Sequence, residues 1–310
     1  MKSQEKVTAF RNGEIKRNRG KGNMGMDACT LCPRMCGVNR AAGEKGYCGM
    51  DATIRAARAA LHMWEEPCIS GTQGSGAVFF SGCSLRCIFC QNFEIAEGNC
   101  AKEISGERLS EIFLELQEQG AANINLVTAA HYVPAVIESL KKAKAQGMDL
   151  PVIYNSSGYE RVETVQMLEE VVDVWLPDFK YMDSKLAFVY SRAKDYPEVA
   201  RAAIREMMKA AGTCAYDEDG YIQKGVIVRH LILPGHTKNS IAVLDELYGT
   251  YGDDLTISLM NQYTPLPQVW NIPDLNRRVT KREYEKVLDH ALDLGITQGF
   301  FQEGGTAKES

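Results

Sequence analysis

Short apolar runs alternate with amphipathic helical runs from Ala77 to Leu294, and this alternation sets the strongest limit on the fold. Strands that alternate with helices of about ten to fifteen residues indicate βαβ units, whose strands form a parallel sheet. The predicted strands cover residues 77–80, 123–127, 151–154, 171–176, 225–233 and 255–259. The predicted helices cover residues 107–119, 133–146, 159–170, 184–211 with a break near Pro197, 240–251 and 281–294. Six units are fewer than the eight of a closed barrel, so the sequence predicts an α/β fold without eight-fold closure.

The length and charge of the chain narrow the classes of function. The 310 residues can form one large domain or two smaller ones. A net charge of −5 argues against a nucleic-acid-binding surface. No apolar run approaches the roughly 20 residues that a membrane span needs, and the N-terminus has no apolar signal core. We therefore expect a cytoplasmic protein without membrane or nucleic-acid partners, whose ten cysteines serve metal binding or catalysis rather than disulfides.

The first predicted strand leads directly into a loop with three cysteines, Cys83, Cys87 and Cys90. Their C-x3-C-x2-C spacing puts three thiolates on one tight loop, where they can bind three irons of a cubane iron–sulfur cluster. Such clusters normally take four cysteines, so one iron is left open for a ligand from outside. A zinc knuckle or unmetallated thiols are the competing interpretations. The position directly after an apolar strand disfavours both.

A second group of cysteines precedes this loop, in a segment rich in glycine. Cys29, Cys32, Cys36 and Cys48 are spaced C-x2-C-x3-C-x11-C. Thiolates accept both iron and zinc, so this group can hold a complete iron–sulfur cluster or a structural zinc ion. The sequence thus predicts three regions: a basic tail over residues 1–26, a cysteine-rich extension over 27–75, and a core domain over 76–310.

Polar side chains follow the later predicted strands or, in the strand over 225–233, lie within it. In a parallel α/β barrel the functional residues gather at the carboxyl ends of the strands, so these side chains are candidates for ligand contacts. They are His131, Asn155, Ser156, Asp178, Lys180, Arg229, Gln262 and Tyr263. An acid and a lysine at a buried strand end are costly unless they are paired or solvated, which favours a site at 178–180. His131 suits either a ligand contact or a structural role. Arg229 and His230 point to opposite sides of their strand, so only one of them can face a ligand.

The cysteine loop resembles the signature of the radical S-adenosylmethionine (SAM) superfamily. Over residues 29–302 the chain resembles, within that superfamily, the pyruvate formate-lyase activating enzyme-related proteins of the PflX type. The stretches that carry the resemblance are 29–48, 80–92, 123–134, 154–160, 178–181, 229–235 and 259–265. The resemblance implies a partial (β/α)6 TIM-like barrel with a cysteine-rich metal-binding extension. It also implies a [4Fe–4S] cluster whose open iron binds SAM and which cleaves SAM reductively to a 5′-deoxyadenosyl radical.

The resemblance also implies roles for single residues. Phe89 matches an aromatic residue that lies near the adenine of SAM, and Asn155 and Ser156 match a polar turn beside SAM. Asp178 matches a cation-binding aspartate, Lys180 a lysine that faces SAM, and Arg229 an arginine on the SAM carboxylate. Gln262 and Tyr263 stand where the last SAM or substrate contacts lie. The chain departs from many relatives at 128–131, where Gly-Gly-Glu is replaced by Thr-Ala-Ala-His, and at Thr264, where a histidine is common.

Two classes of function follow from these residues. A radical SAM enzyme would abstract hydrogen from a glycine of a glycyl-radical enzyme, from another peptide or from a small molecule, with a flavodoxin- or ferredoxin-type reductant. An iron–sulfur electron carrier or metal-binding scaffold without SAM cleavage is the alternative, and the missing Gly-Gly-Glu is its best support. An electron carrier has no need for Lys180 and Arg229 at strand ends, which favours the enzyme.

Overall fold

The computed structural model describes residues 26–297 and 299–302. The predicted basic tail lies outside these residues except for Met26. The strands are β1 (Ile54–His62), β2 (Ser75–Phe80), β3 (Lys102–Ile104), β4 (Ile124–Val127), β5 (Val152–Ser156), β6 (Val174–Pro177), β7 (Ala215–Tyr216), β8 (Ile222–Leu231), β9 (Thr256–Met260) and β10 (Gly299–Phe301). The helices are α1 (Pro67–Ser70), α2 (Phe93–Glu97), α3 (Gly106–Glu118), α4 (Val133–Ala145), α5 (Val162–Leu168), α6 (Ser184–Ser191), α7 (Tyr196–Ala211), α8 (Thr237–Tyr251) and α9 (Lys281–Asp293).

One mostly parallel sheet connects these elements. Its strand order in the described chain is β10-β9-β8-β6-β5-β4-β2-β1-β3, with β7 paired to β8. The six predicted strands are β2, β4, β5, β6, β8 and β9, and they run parallel to one another. The mixed α/β fold with a mainly parallel sheet is therefore confirmed. β10 adds a further parallel strand next to β9.

The long predicted helix over 184–211 is two helices, α6 and α7, and they separate earlier than Pro197. The break falls at residues 192–195, where Arg192 takes a left-handed conformation with φ of +50°. Pro197 lies in the first turn of α7. A proline is tolerated there because the first N–H groups of a helix have no partner within the helix.

The end of the sheet that is formed by β1 and β3 was not predicted from the sequence. β1 is rich in alanine and arginine, residues that favour helix over strand, yet it pairs antiparallel with β2 from Ala56 to His62. Pairing with the buried strand β2 outweighs the helix propensity of the β1 residues. The cysteine-rich extension and the core thus share one sheet across the predicted boundary at residue 75.

Alternate residues of the central strands face two different environments. Ile153, Val174 and Ile227 pack with Cys68 and Ile69 in a small apolar cluster on one face, here called the inner face. The strand neighbours of these residues, Tyr154 and Trp175 among them, belong to the large core on the helix-covered face. Because α1 supplies Cys68 and Ile69, this short helix covers the inner face near the amino ends of the strands. The carboxyl ends carry the polar side chains.

None of the helices in the described ranges is both long enough and apolar enough to span a bilayer.

Candidate functional site

The three-cysteine loop leaves the carboxyl end of β2, next to the carboxyl ends of the other parallel strands. The Cys87 thiol interacts electrostatically with Cys83, and the Cys90 thiol with both others, so the three sulfurs lie within electrostatic range of one another, although they do not yet stand in a metal-binding arrangement. All three residues are partly exposed. The loop begins at Gly82, which has a φ of +88°. A Cβ at that position would lie 2.5 Å from the side chain of Met50, so only glycine fits at the start of the loop.

Burial and hydrogen bonding set the charge state of the loop thiols. Burial raises the pKa of the Cys90 thiol to about 12 and also raises that of Cys87, while the nearby Lys180 ammonium opposes both shifts. The Ser191 hydroxyl donates to the Cys87 sulfur over 3.1 Å. Without a metal, the Cys87 and Cys90 thiols are thus protonated near neutral pH, so iron binding must release their protons.

Lys180 and Asp178 form an ion pair that faces the cysteine loop. The Lys180 Nζ lies 2.5 Å from the Asp178 Oδ2, and both side chains are mostly buried. Burial lowers the pKa of Lys180, but Asp178, together with the Cys87 sulfur in its ionised form, outweighs the effect of burial, so this pKa is raised. The predicted site at 178–180 therefore holds a fixed positive charge beside the thiols, and its acid and lysine are paired.

The turn after β5 packs directly against this pair. Gly158 has a φ of +72°, and a Cβ on it would collide with the Asp178 carbonyl oxygen. The Tyr196 hydroxyl lies 2.9 Å from that same oxygen and accepts the Lys180 backbone N–H over 2.9 Å. Backbone contacts therefore fix the position of Lys180, in addition to its ion pair.

Phe89 sits inside a cage of three tyrosines. Its ring meets those of Tyr181, Tyr190 and Tyr263 edge-on, with centroids 6.3–6.4 Å apart. Tyr263 is itself fixed, because its hydroxyl donates to the Leu275 carbonyl over 2.7 Å. Phe89 and Tyr263, two predicted cofactor contacts, are thus brought together beside the cysteine loop.

Arg229 faces the inner side of the sheet, as its alternation with His230 predicts, and there it meets two carboxylates. Its Nε donates to the Glu66 Oε1 over 2.8 Å, and its Nη2 bonds to both Glu65 and Glu66. Asn155 donates to the Glu65 Oε1 over 3.4 Å. The His230 ring points the other way and hydrogen-bonds to the Phe179 carbonyl over 2.7 Å.

The two carboxylates were missed in the sequence analysis. Glu65 and Glu66 lie more than 160 residues from Arg229, in the segment between β1 and α1. An acidic pair before a proline is typical of an exposed turn, so nothing local indicated that both side chains are buried. Their ion pairs occupy the Nε and Nη2 of the arginine.

Three further candidate residues have partners of their own. The ring of His131 hydrogen-bonds to the Ser81 carbonyl over 2.7 Å, and burial lowers its pKa to about 3, so the ring is neutral. The Ser156 hydroxyl accepts the Gly158 N–H over 3.2 Å. The Gln262 side chain accepts from Gln302 over 3.0 Å. His131 thus lies beneath the start of the cysteine loop.

The second cysteine group lies against the first. Cys29, Cys32 and Cys48 are buried and Cys36 is exposed. Cys48 interacts electrostatically with Cys29 and Cys36, and Cys32 with Cys29 and Cys48. The Cys48 carbonyl oxygen would lie 2.8 Å from a Cβ on Gly82, which places this group at the start of the first loop. In residues 26–297 and 299–302, no three side chains among His, Cys, Asp and Glu already stand in a metal-binding arrangement.

Solved structures of other proteins share a similar fold at low sequence identity. HydG, a maturase of the [FeFe]-hydrogenase, superposes with a TM-score of 0.51 and 15% identity, over 73% of this chain and 50% of its own. A domain of a pyruvate-formate lyase-activating enzyme from Bacteroides vulgatus gives a TM-score of 0.39 and 17% identity, over 56% of this chain and 92% of its own.

In sequence, the chain is 29% identical over 270 residues to an uncharacterized protein of Methanocaldococcus jannaschii. This covers 85% of the chain and 74% of the relative. No family model matches. The likeness to solved structures is one of fold, so the PflX-type resemblance stays a prediction.

Proposed function

We propose that the chain is a radical SAM enzyme in which Cys83, Cys87 and Cys90 bind a [4Fe–4S] cluster. The observation that carries this proposal is the convergence of three thiols with Lys180 at the carboxyl end of a parallel sheet. The donor set fits the group, since three thiolates leave one iron open. When bound and reduced, the cluster would supply the electron that cleaves SAM to methionine and a 5′-deoxyadenosyl radical.

The side chains around the loop suit the other needs of such a site. Lys180 supplies positive charge beside thiolates that would otherwise be costly to bury. Phe89, buried among its three tyrosines beside the loop, is the candidate for the aromatic residue near the adenine. Asp178 keeps Lys180 in place through its 2.5 Å ion pair. Asn155, Ser156, Gln262 and Tyr263 remain candidates for contacts with SAM or substrate.

In this proposal Arg229 contributes less to binding the SAM carboxylate than the resemblance implied. Its Nε and Nη2 are engaged by Glu65 and Glu66, so a SAM carboxylate would have to bind through Nη1. The two acids reduce the positive charge that Arg229 presents. We therefore assign the main attraction for the SAM carboxylate to Lys180.

The substrate is a peptide or protein, such as a glycyl-radical enzyme, or a small molecule that reaches the carboxyl end of the sheet. A flavodoxin- or ferredoxin-type protein in the cytoplasm would supply the electron.

Equilibrium binding of SAM tests the proposal against the electron-carrier alternative. The protein is reconstituted anaerobically with iron and sulfide, and its SAM affinity is compared with that of the Cys83→Ala/Cys87→Ala/Cys90→Ala variant. The proposal predicts tight binding only with the intact loop. A wild-type protein that holds a full cluster and does not bind SAM would favour the electron carrier.

A further inference from the structure

The second cysteine group is folded into a closed turn. The Cys29 N–H donates to the Val38 carbonyl over 2.9 Å, and the Gly37 N–H donates to the Cys29 carbonyl over 3.0 Å. A Cβ on Gly46 would lie 2.9 Å from the Cys36 sulfur and 3.6 Å from the Cys48 sulfur. Glycine at 46 therefore leaves the space in which these two sulfurs lie.

A buried positive charge lies beside these sulfurs. Arg40 is 1% exposed. Its Nη1 contacts the His131 carbonyl and lies 4.0 Å from the Cys29 sulfur, and its Nη2 donates to the Asp51 carbonyl over 2.5 Å. None of these acceptors is a carboxylate, and the Nε has no partner in the described chain. An arginine stays charged in proteins, so its burial without an anion is costly.

Thiolates bound to a metal would supply the missing anion. Four of them around one zinc ion, or around an iron–sulfur cluster, carry net negative charge. Arg40 also interacts electrostatically with Cys48. A metal centre at the four cysteines would thus account for the buried arginine beside Cys29.

We propose that Cys29, Cys32, Cys36 and Cys48 bind a second metal centre through four thiolates, and that its negative charge is balanced by Arg40. Binding would close the four side chains around the metal on a backbone that is already folded. This centre is independent of the proposed SAM chemistry, because its ligands lie outside the loop of residues 83–90. Iron with sulfide, or zinc, is the metal that suits four thiolates.

The two C-x3-C turns share one backbone feature. Met35, directly before Cys36, has a φ of +41°, and Arg86, directly before Cys87, has a φ of +53°. Both are non-glycine residues in the left-handed region, which is uncommon.

Thiol alkylation of the intact protein tests the proposal without any variant. Cys36 and Cys100 are both exposed, but only Cys36 is a proposed ligand. The anaerobically purified protein is treated with iodoacetamide before and after metal removal, and modification is quantified by peptide mass spectrometry. The proposal predicts that Cys36 is at least tenfold slower than Cys100 in the metal-loaded protein and gains reactivity after chelation. Equal rates in both states would overturn it.

Metal analysis separates the two centres. The Cys83→Ala/Cys87→Ala/Cys90→Ala variant should still hold one metal centre per chain, which contains either iron with sulfide or zinc. Adding Cys29→Ala and Cys48→Ala to this variant should remove that remaining metal. Cys100→Ala added to the triple variant is the matched control and should change nothing. A correctly folded triple variant that retains neither metal would contradict the proposal. That result would not bear on the proposed radical SAM function, which is tested separately by SAM binding of the wild type.

Discussion

The Arg34 Nε donates to the Ser84 carbonyl over 2.9 Å, and this contact joins the two cysteine segments. The same guanidinium donates to the Ser191 carbonyl over 2.8 Å and stacks on Tyr47 at 4.0 Å. Arg34 lies between Cys32 and Cys36, so the second cysteine group holds the backbone of the first loop through one side chain.

Replacing Arg34 should loosen the loop of Cys83, Cys87 and Cys90. Arg34→Ala removes several hydrogen bonds from a charged donor, so we expect a loss of about 2–3 kcal/mol in the free energy of unfolding. Amide hydrogen exchange near Leu85 should become faster. Arg58→Ala, at an exposed position, is the control. Unchanged exchange near Leu85 in the Arg34 variant would contradict the coupling.

In the ion cluster of Arg229, Glu65 and Glu66 on the inner face, removing the arginine should cost more stability than neutralising one of the acids. Arg229→Met leaves Glu65 and Glu66 buried without a cation, and should cost about 3–5 kcal/mol of stability. Glu66→Gln leaves the Arg229–Glu65 pair intact and should cost less. Urea unfolding at neutral pH measures both. Equal losses of stability in the two variants would contradict the view that the buried carboxylates depend on Arg229 as their counter-charge.

Removing the Lys180 charge should weaken cofactor retention. In Lys180→Met the thiolates of the loop and Asp178 lose their neighbouring cation, so we expect SAM affinity to fall at least tenfold, about 1.4 kcal/mol. Lys185→Met, at an exposed position on α6, is the matched control. Equal SAM affinity in the two variants would remove Lys180 from the site.

Acid should destabilise the start of α9 through Glu283. Arg277, together with the Thr280 and Gly235 N–H groups, holds the pKa of Glu283 well below its ordinary value of 4.5, despite some burial. The charged form is thus favoured in the folded state, and its stabilisation is present above pH 4.5 and is lost as the pH falls below it.

Glu283→Gln measures this contribution. The variant should be less stable than the wild type by about 1 kcal/mol at about pH 7, and the difference should shrink between about pH 4.5 and pH 2. Glu118→Gln, at an exposed position, is the control. A difference that stays constant over this pH range would exclude the carboxylate as its cause.

Local pattern was enough to predict the parallel core and the two cysteine groups. Periodicity placed α3, α4 and α9 within about one residue of their observed bounds, because each has one apolar face and a clear start signal. The alternation of side chains along a strand correctly predicted that Arg229 and His230 lie on opposite faces of β8.

Long-range pairing could not be predicted in this way. Glu65 and Glu66 are buried only because they pair with Arg229, and the role of Arg34 depends on Ser84. β1 is a strand because β2 offers it partners, against its own propensity. Such contacts depend on which distant segments of the chain the fold brings together, and a single sequence does not reveal this.

The central claim is tested most directly by the formation of 5′-deoxyadenosine. The reconstituted protein is reduced anaerobically and given SAM, beside the Cys83→Ala/Cys87→Ala/Cys90→Ala variant. Radical SAM chemistry predicts 5′-deoxyadenosine from the wild type and none from the variant. A wild-type protein with a full, reduced cluster that forms no more product than the variant would contradict the claim.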